Sequence, residues 1–251
     1  MPYIEEVCVA GNTVEISKYY SYRIHPKGEK RQKTGDITSE AQKKINQRRA
    51  GVKLRRLMNN NFKDGDYLVR LDFHKEHPKS STEMQKMTSN FLRRLKRVFP
   101  DLKYIYVKEL GKRGGAHIHM MMNKCPPDLL RKTWTYGGIH IDPLYSEGQY
   151  RKIAEYFIKY AQKTEETEGQ LVGKRWYASR NLVPPRVKKR ICKSNRFRAK
   201  VRILKDYYLD TEVYGINESG WEYYSYTLIR GDTHGRADGH HRKQSESSPG
   251  S

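Results

Sequence analysis

What this sequence lacks narrows it first. It has only three cysteines, Cys8, Cys125 and Cys192, unclustered and odd in number. That excludes a disulfide framework and a paired-cysteine zinc site, and it suits a reducing compartment. No run of about 18 apolar residues occurs, so no helical membrane span is expected. The first 20 residues lack the basic, then apolar, then small-residue order of an export signal. No Gly-x-x-x-x-Gly-Lys-[Ser/Thr] segment is present, so strand unwinding by this chain is not expected. No repeat of 20–50 residues is present. Acidic residues are scarce: 28 Asp+Glu face 50 Lys+Arg over 251 residues, a formal charge of +22. An excess of this size draws a protein to polyanions, and nucleic acid is the expected partner.

The positive charge is clumped. Residues 25–56 hold 11 Lys/Arg against 3 acids, and residues 186–205 hold 10 against none. Within these runs Arg48, Arg49, Lys53, Arg55, Arg56, Lys188, Lys189, Arg190, Arg196 and Arg198 are the candidate DNA contacts. One such run is commonly a solvated helix face. Two runs flanking a mixed block point to phosphate contacts, with binding that falls steeply as salt rises. Hydrophobic residues make up 36% of the chain, enough for a core.

Periodicity divides the chain into four parts. Residues 1–62 read as a hairpin around Ala10-Gly11-Asn12 followed by a long basic helix opened by Thr38-Ser39-Glu40. Residues 63–165 read β-α-β-β-α-β-α: strands at 67–73, 103–110, 116–122 and 138–143, and helices from Ser81, at 126–134 and at 149–163. A glycine-rich turn at 111–115 joins the second and third of these strands. Residues 166–230 begin with a polar connector, then a basic segment at 186–205 expected as a helix. A Tyr-rich hairpin over 207–230, turning near 217–220, follows. Residues 231–251 are poor in apolar side chains and are expected to be disordered. The fold class expected is α+β, with a central antiparallel sheet and helices on one face.

Two clusters carry chemistry. In His117-Ile118-His119, positions i and i+2 of a strand project from one face, so both imidazoles point the same way. Glu109 ends the preceding strand, and a hairpin could bring it opposite the histidines as an oxygen ligand. A His₂-carboxylate set leaves positions for water and a phosphate oxygen, suiting Mg²⁺ or Mn²⁺. Read without that context, His-x-His is the polar face of a strand. The second cluster is Tyr156-x-x-Lys159 followed by Tyr160-x-x-Lys163. Ile153, Ala154, Phe157, Ile158 and Ala161 form an apolar stripe at helical spacing, leaving Tyr156, Tyr160 and Lys163 on an adjacent face with Lys159 at its edge. The tyrosines alone would suit a core edge. With the lysines, they suit a phenolate nucleophile stabilised by ammonium groups.

Together these residues resemble the HUH endonucleases of rolling-circle replication. Ala116-His117-Ile118-His119-Met120 is similar to their His-hydrophobic-His motif, Glu109 takes the place of the acidic third ligand, and Tyr67–Phe73 looks like the first conserved strand. The double Tyr-x-x-Lys resembles the two-tyrosine helix of the microvirus gene A and gene II/ORF2-like replication-associated proteins. The resemblance spans roughly residues 60–165.

It implies a five-stranded antiparallel sheet laid out like RNA-recognition folds. It also implies nicking of single-stranded DNA at an origin through a 5′-phosphotyrosine, strand rejoining, and a separate helicase and DNA polymerase in a bacterial cytoplasm. One-tyrosine members use a single Tyr-x-x-Lys, so whether both tyrosines act stays open. A conjugative relaxase or single-strand transposase would use the same chemistry, and a non-catalytic binding module would use a similar sheet. Asp72 on the first strand could set a ligand histidine's tautomer. His140 reads as a surface or substrate-facing residue, and His74 and His77 as loop residues.

Overall fold

The computed structural model describes residues 2–20, 40–74, 78, 80–110, 115–145, 149–168, 174–217 and 220–231. The turn at 111–114, the basic residues of 25–39, His77 and the segment from 232 onward lie outside the described residues.

The 63–165 block folds as its periodicity indicates. Strands β3 (Tyr67–Asp72), β4 (Tyr104–Leu110), β5 (Ala116–Met122) and β6 (Ile139–Pro143) alternate with helices α2 (Ser81–Val98), α3 (Pro127–Thr133) and α4 (Arg151–Glu168). With the short β7 (Tyr177–Ala178), the strands form an antiparallel sheet in the order β6-β3-β5-β4-β7. This is the central five-stranded sheet of the expected α+β class. Helix α2 starts at Ser80, whose hydroxyl accepts from the Glu83 amide, and ends before Pro100. Both features are helix signals legible in the sequence.

The helices lie on both faces of this sheet rather than one. Val69, Leu71, Tyr106, Ile118, Met120 and Met122 point toward α2 and α3 and pack with Phe91, Leu95 and Trp134. Their neighbours Ile105, Val107 and Met121 point the other way and pack with Phe157, Ile158 and Ala154 of α4. Helix α1 (Glu40–Asn61) lies over α4 through Leu54 and Met58. Strands apolar on both faces require cover on both.

The N-terminal and C-terminal hairpins pair with each other. Strands β1 (Tyr3–Ala10) and β2 (Thr13–Tyr20) form the expected N-terminal hairpin, and β9 (Tyr207–Ile216) and β10 (Glu222–Arg230) the Tyr-rich one. β10 pairs with β2, giving a second antiparallel sheet in the order β8-β1-β2-β10-β9. Its outer strand β8 is Arg186–Cys192, so the helix expected over 186–205 is instead a strand followed by irregular chain. Val187 and Ile191 sit at strand spacing and pair with Cys8 and Ile4. The intervening Lys188, Lys189 and Arg190 are exposed, and charge on an edge strand discourages pairing with another chain.

Ion pairs and amides join the second sheet to α1. Arg55 and Arg56 donate to Glu15, and Arg56 also to Glu6, at 2.6–2.8 Å. Asn59 bonds Thr13 of β2 and the Tyr150 amide ahead of α4. At the β1–β2 turn Gly11 has φ +55°, and a Cβ there would lie 2.0 Å from the Asn59 carbonyl oxygen. Only glycine satisfies both demands.

Candidate functional site

The site is built on the sheet face toward α4. Antiparallel pairing places Asp72, His117 and Glu109 in one row across β3, β5 and β4, because Asp72 is opposite His117 and His117 opposite Glu109. The next row carries His140, Arg70 and His119. Ile118 points away into the core and is fully buried. The expected placement of Glu109 across from the histidine pair therefore follows from strand register alone.

Glu109 lies between two donors. His119 Nε2 is 2.7 Å from one carboxylate oxygen, and Lys163 Nζ is 2.5 Å from the other. Burial works to raise the Glu109 pKa, but the hydrogen bonds and charges of Lys163 and His119 outweigh it and hold the carboxyl below its ordinary range. An ionised carboxylate only accepts, so His119 donates its Nε2–H. Burial lowers the His119 pKa despite Glu109, keeping the imidazole neutral near pH 7. Lys163 is held at this spot by its neighbour Thr164. That hydroxyl donates to the Lys108 carbonyl and accepts from the Leu110 amide, fastening α4 to the end of β4.

Asp72 organises the other half. Its Oδ1 is 2.8 Å from His117 Nδ1, Arg70 donates to both oxygens, and His140 Nε2 lies 3.0 Å from Oδ2. Burial opposes ionisation of Asp72, but His117 and Arg70 hold its pKa below the usual value. The Asp72 backbone is fixed by Trp134 Nε1–H on its carbonyl and by its own amide on the Gly138 carbonyl. With Nδ1 of His117 turned to Asp72, its Nε2 has no hydrogen-bond partner among the described residues. A carboxylate that fixes one imidazole nitrogen and leaves the other open is the usual support of a ligand histidine.

The tyrosines of α4 close over this face. The Tyr160 ring stacks on the His119 imidazole, with centroids 4.3 Å apart and planes 22° apart. Tyr156 meets Tyr160 edge-on at 4.3 Å and His119 edge-on at 5.2 Å. Tyr156 is 40% exposed and lines a cavity of about 450 Å³ with Arg70, His119, His140 and Lys152. Tyr160 lies deeper. Burial, then a hydrogen bond with Tyr156, pushes its phenol above the ordinary value.

Glu109, His119, Tyr156, Tyr160 and Lys163 thus form one cluster, with His117 beside it at 6.4 Å between imidazole centroids. Among the described residues, no three His, Cys, Asp or Glu side chains converge tightly enough to form a metal cage as they stand. Lys159 is outside the cluster; it is exposed and lines a separate cleft with Arg48 of α1. Arg49 and Lys53 are exposed on α1, and Arg196 and Arg198 on the irregular chain after β8. Arg55 and Arg56 face Glu15 and Glu6, Lys189 pairs with Glu6, and Arg190 with Glu5, so these four serve internal pairs. Arg70 carried no sequence signal beyond strand spacing. His74 is an exposed loop residue, as expected.

Residues 66–165 match the family model described as replication-associated protein ORF2/G2P. The matched stretch runs from the start of β3 through most of α4 and contains the whole cluster. It supports a role in DNA replication as a rolling-circle initiator. No curated protein and no solved structure matches the chain. Among the described residues no helix is long and apolar enough to cross a membrane.

Proposed function

We propose that the chain nicks and rejoins single-stranded DNA at a replication origin, with Tyr156 as the first nucleophile. The observation that carries the reading is the meeting of Tyr156 and Tyr160 with His119 and Glu109. Residues from three separate elements gather a nucleophile pair and a ligand set at one end of a sheet.

The donor set fits a divalent cation. Glu109 and His119 share a hydrogen bond of 2.7 Å, and release of the Nε2 proton on metal binding would turn that oxygen and nitrogen to one ion, while His117 Nε2 is open. Glu109, His117 and His119 would hold Mg²⁺ or Mn²⁺, which supplies Lewis-acid polarisation of a phosphate oxygen. Asp72 sets the His117 tautomer, and Arg70 places a guanidinium beside the incoming phosphate. A phosphodiester entering the 450 Å³ cavity meets Tyr156 at its wall. The Tyr156 oxygen bonds to phosphorus while the P–O3′ bond breaks; the phenolic proton passes to solvent, and the departing 3′ oxygen takes one up to become a free 3′-hydroxyl. Attack by a 3′-hydroxyl on the phosphotyrosine reverses the step and rejoins the strand. Tyr160, deeper on the same face, is placed to act second. Lys163 keeps Glu109 ionised.

The binding-module alternative predicts aromatic side chains on the open sheet face. That face carries Arg70, Asp72, His117 and His140, which favours chemistry. A relaxase or transposase would differ only in the DNA it cuts. The test is incubation with Mn²⁺ and a labelled single strand carrying the candidate origin. A covalent adduct is expected, lost in Tyr156→Phe and in His117→Ala; absence of adduct on every origin-bearing strand overturns the proposal.

A further inference from the structure

A second cleft borders α4 on residues other than those that line the Tyr156 cavity. This cleft of about 600 Å³ separates α1 and α4 from the second sheet. One wall presents hydroxyl groups of Ser17, Thr211, Ser225 and Thr227 from β2, β9 and β10. The other carries Lys44, Arg48, Arg151 and Lys159, with one exposed carboxylate, Glu155. Lys44, Arg48 and Lys159 have no carboxylate partner among the described residues. Arg151 bonds Thr211 through one terminal nitrogen, which also lies 3.6 Å from the Asp210 carboxylate, while its Nε is buried without a hydrogen-bond partner. The Glu15 carboxylate in the wall is already engaged by Arg55 and Arg56.

A buried guanidinium N–H left unpaired is costly, and free cations facing hydroxyl donors make a site short of an anion. Farther along the α1–α4 seam the groove is mixed in charge, with Glu165 and Glu166 among Lys43, Lys44 and Arg175. The Arg48–Lys159 end of the cleft holds cations with no carboxylate partner among the described residues. That end adjoins the tyrosines, because Lys159 is less than one turn of α4 from Tyr156 and Tyr160.

We infer that this cleft holds the sugar-phosphate backbone of single-stranded DNA leaving the Tyr156 site. The inference rests on the proposed function for the identity of the polymer. Donors on both walls and no aromatic platform except Tyr226 suit backbone contact without base reading. The cleft thus tethers the strand beyond the nick, and the second sheet is part of the DNA path.

The test uses the full chain in EDTA, which separates binding from cleavage. Anisotropy of labelled oligothymidylates, one short and one long, is measured against salt for the parent, Lys44→Ala/Arg48→Ala, and Arg93→Ala/Arg97→Ala. The last pair removes equal charge from exposed positions on α2, across the first sheet. The cleft variant is expected to lose roughly tenfold in affinity for the long strand only, with its salt slope reduced by about 1.4. A benzophenone side chain at Val52, in the cleft wall, is expected to cross-link the long strand. Equal losses in both variants, or no cross-link, overturns the inference. So does displacement of the cross-link by thymidine monophosphate at concentrations that leave long-strand binding intact, which assigns the cleft to free nucleotides. Cross-linking without a covalent adduct in Mn²⁺ sinks the nuclease reading and leaves the cleft standing; the converse sinks the cleft alone.

Discussion

The Tyr160 ring lies face to face with the His119 imidazole at 4.3 Å, so a helix side chain roofs a strand residue of the proposed ligand set. The stack sets how far α4 can approach the sheet, and it leaves Tyr156, one turn earlier, at the open rim. Equivalence of the two tyrosines on paper becomes an order of depth in space.

That order predicts unequal Tyr→Phe variants. Tyr156→Phe should abolish the first covalent adduct in a single-turnover assay. Tyr160→Phe keeps the stacked ring and should leave that adduct within a few-fold while removing transfer to a second strand. Loss of the first adduct in Tyr160→Phe alone would reverse the assignment.

Asp72 fixes Nδ1 of His117 and touches His140. In Asp72→Asn the ring loses its charged partner. Mn²⁺ affinity read by calorimetry should fall about 10- to 100-fold, the usual cost of removing a group that orients a ligand. An unchanged affinity would remove Asp72 from the site.

Arg56 joins Glu6 and Glu15 in a largely buried triad, so Arg56→Met should destabilise the protein by about 3 kcal/mol in urea unfolding. Lys188→Ala, on the exposed edge of β8, should shift stability by less than about 0.5 kcal/mol. Similar values for the two would contradict a structural role for Arg56.

The same triad predicts acid sensitivity. Burial tends to raise the Glu6 pKa, but Lys189 and Arg56 hold it below the ordinary carboxylate value. A lowered folded pKa means stability is fully present above the unfolded value of about 4.3 and is lost as pH falls through the folded one. Melting temperature should fall below about pH 4.5 in the parent. Glu6→Gln should be less stable at neutral pH and flatter across that acid window.

Local order was legible where period and punctuation agree. Val69 and Leu71 against Leu68 and Arg70, Gly11 in its turn, the start of α2 at Ser81 and the Ala154-Phe157-Ile158-Ala161 stripe all act within a few residues. The 186–205 segment shows where local reading stops. A run of lysines and arginines is compatible with a helix, and only the pairing of Val187 and Ile191 with β1 makes it a strand. The row Asp72–His117–Glu109 likewise depends on the register of three strands.

The sequence by itself determined the charge and the local spacing of the candidate site residues. A +22 charge selects polyanions, and two histidines at strand spacing with two tyrosines at helical spacing are local facts that survive any arrangement of the rest. Only the tertiary structure decided how the charge is used. Arg55 and Arg56 are drawn to buried carboxylates, because an unpaired carboxylate there costs more than a phosphate contact gains. Arg48 and Lys159, without carboxylate partners among the described residues, face a cleft bounded by the sheet that the N-terminal and C-terminal hairpins form together.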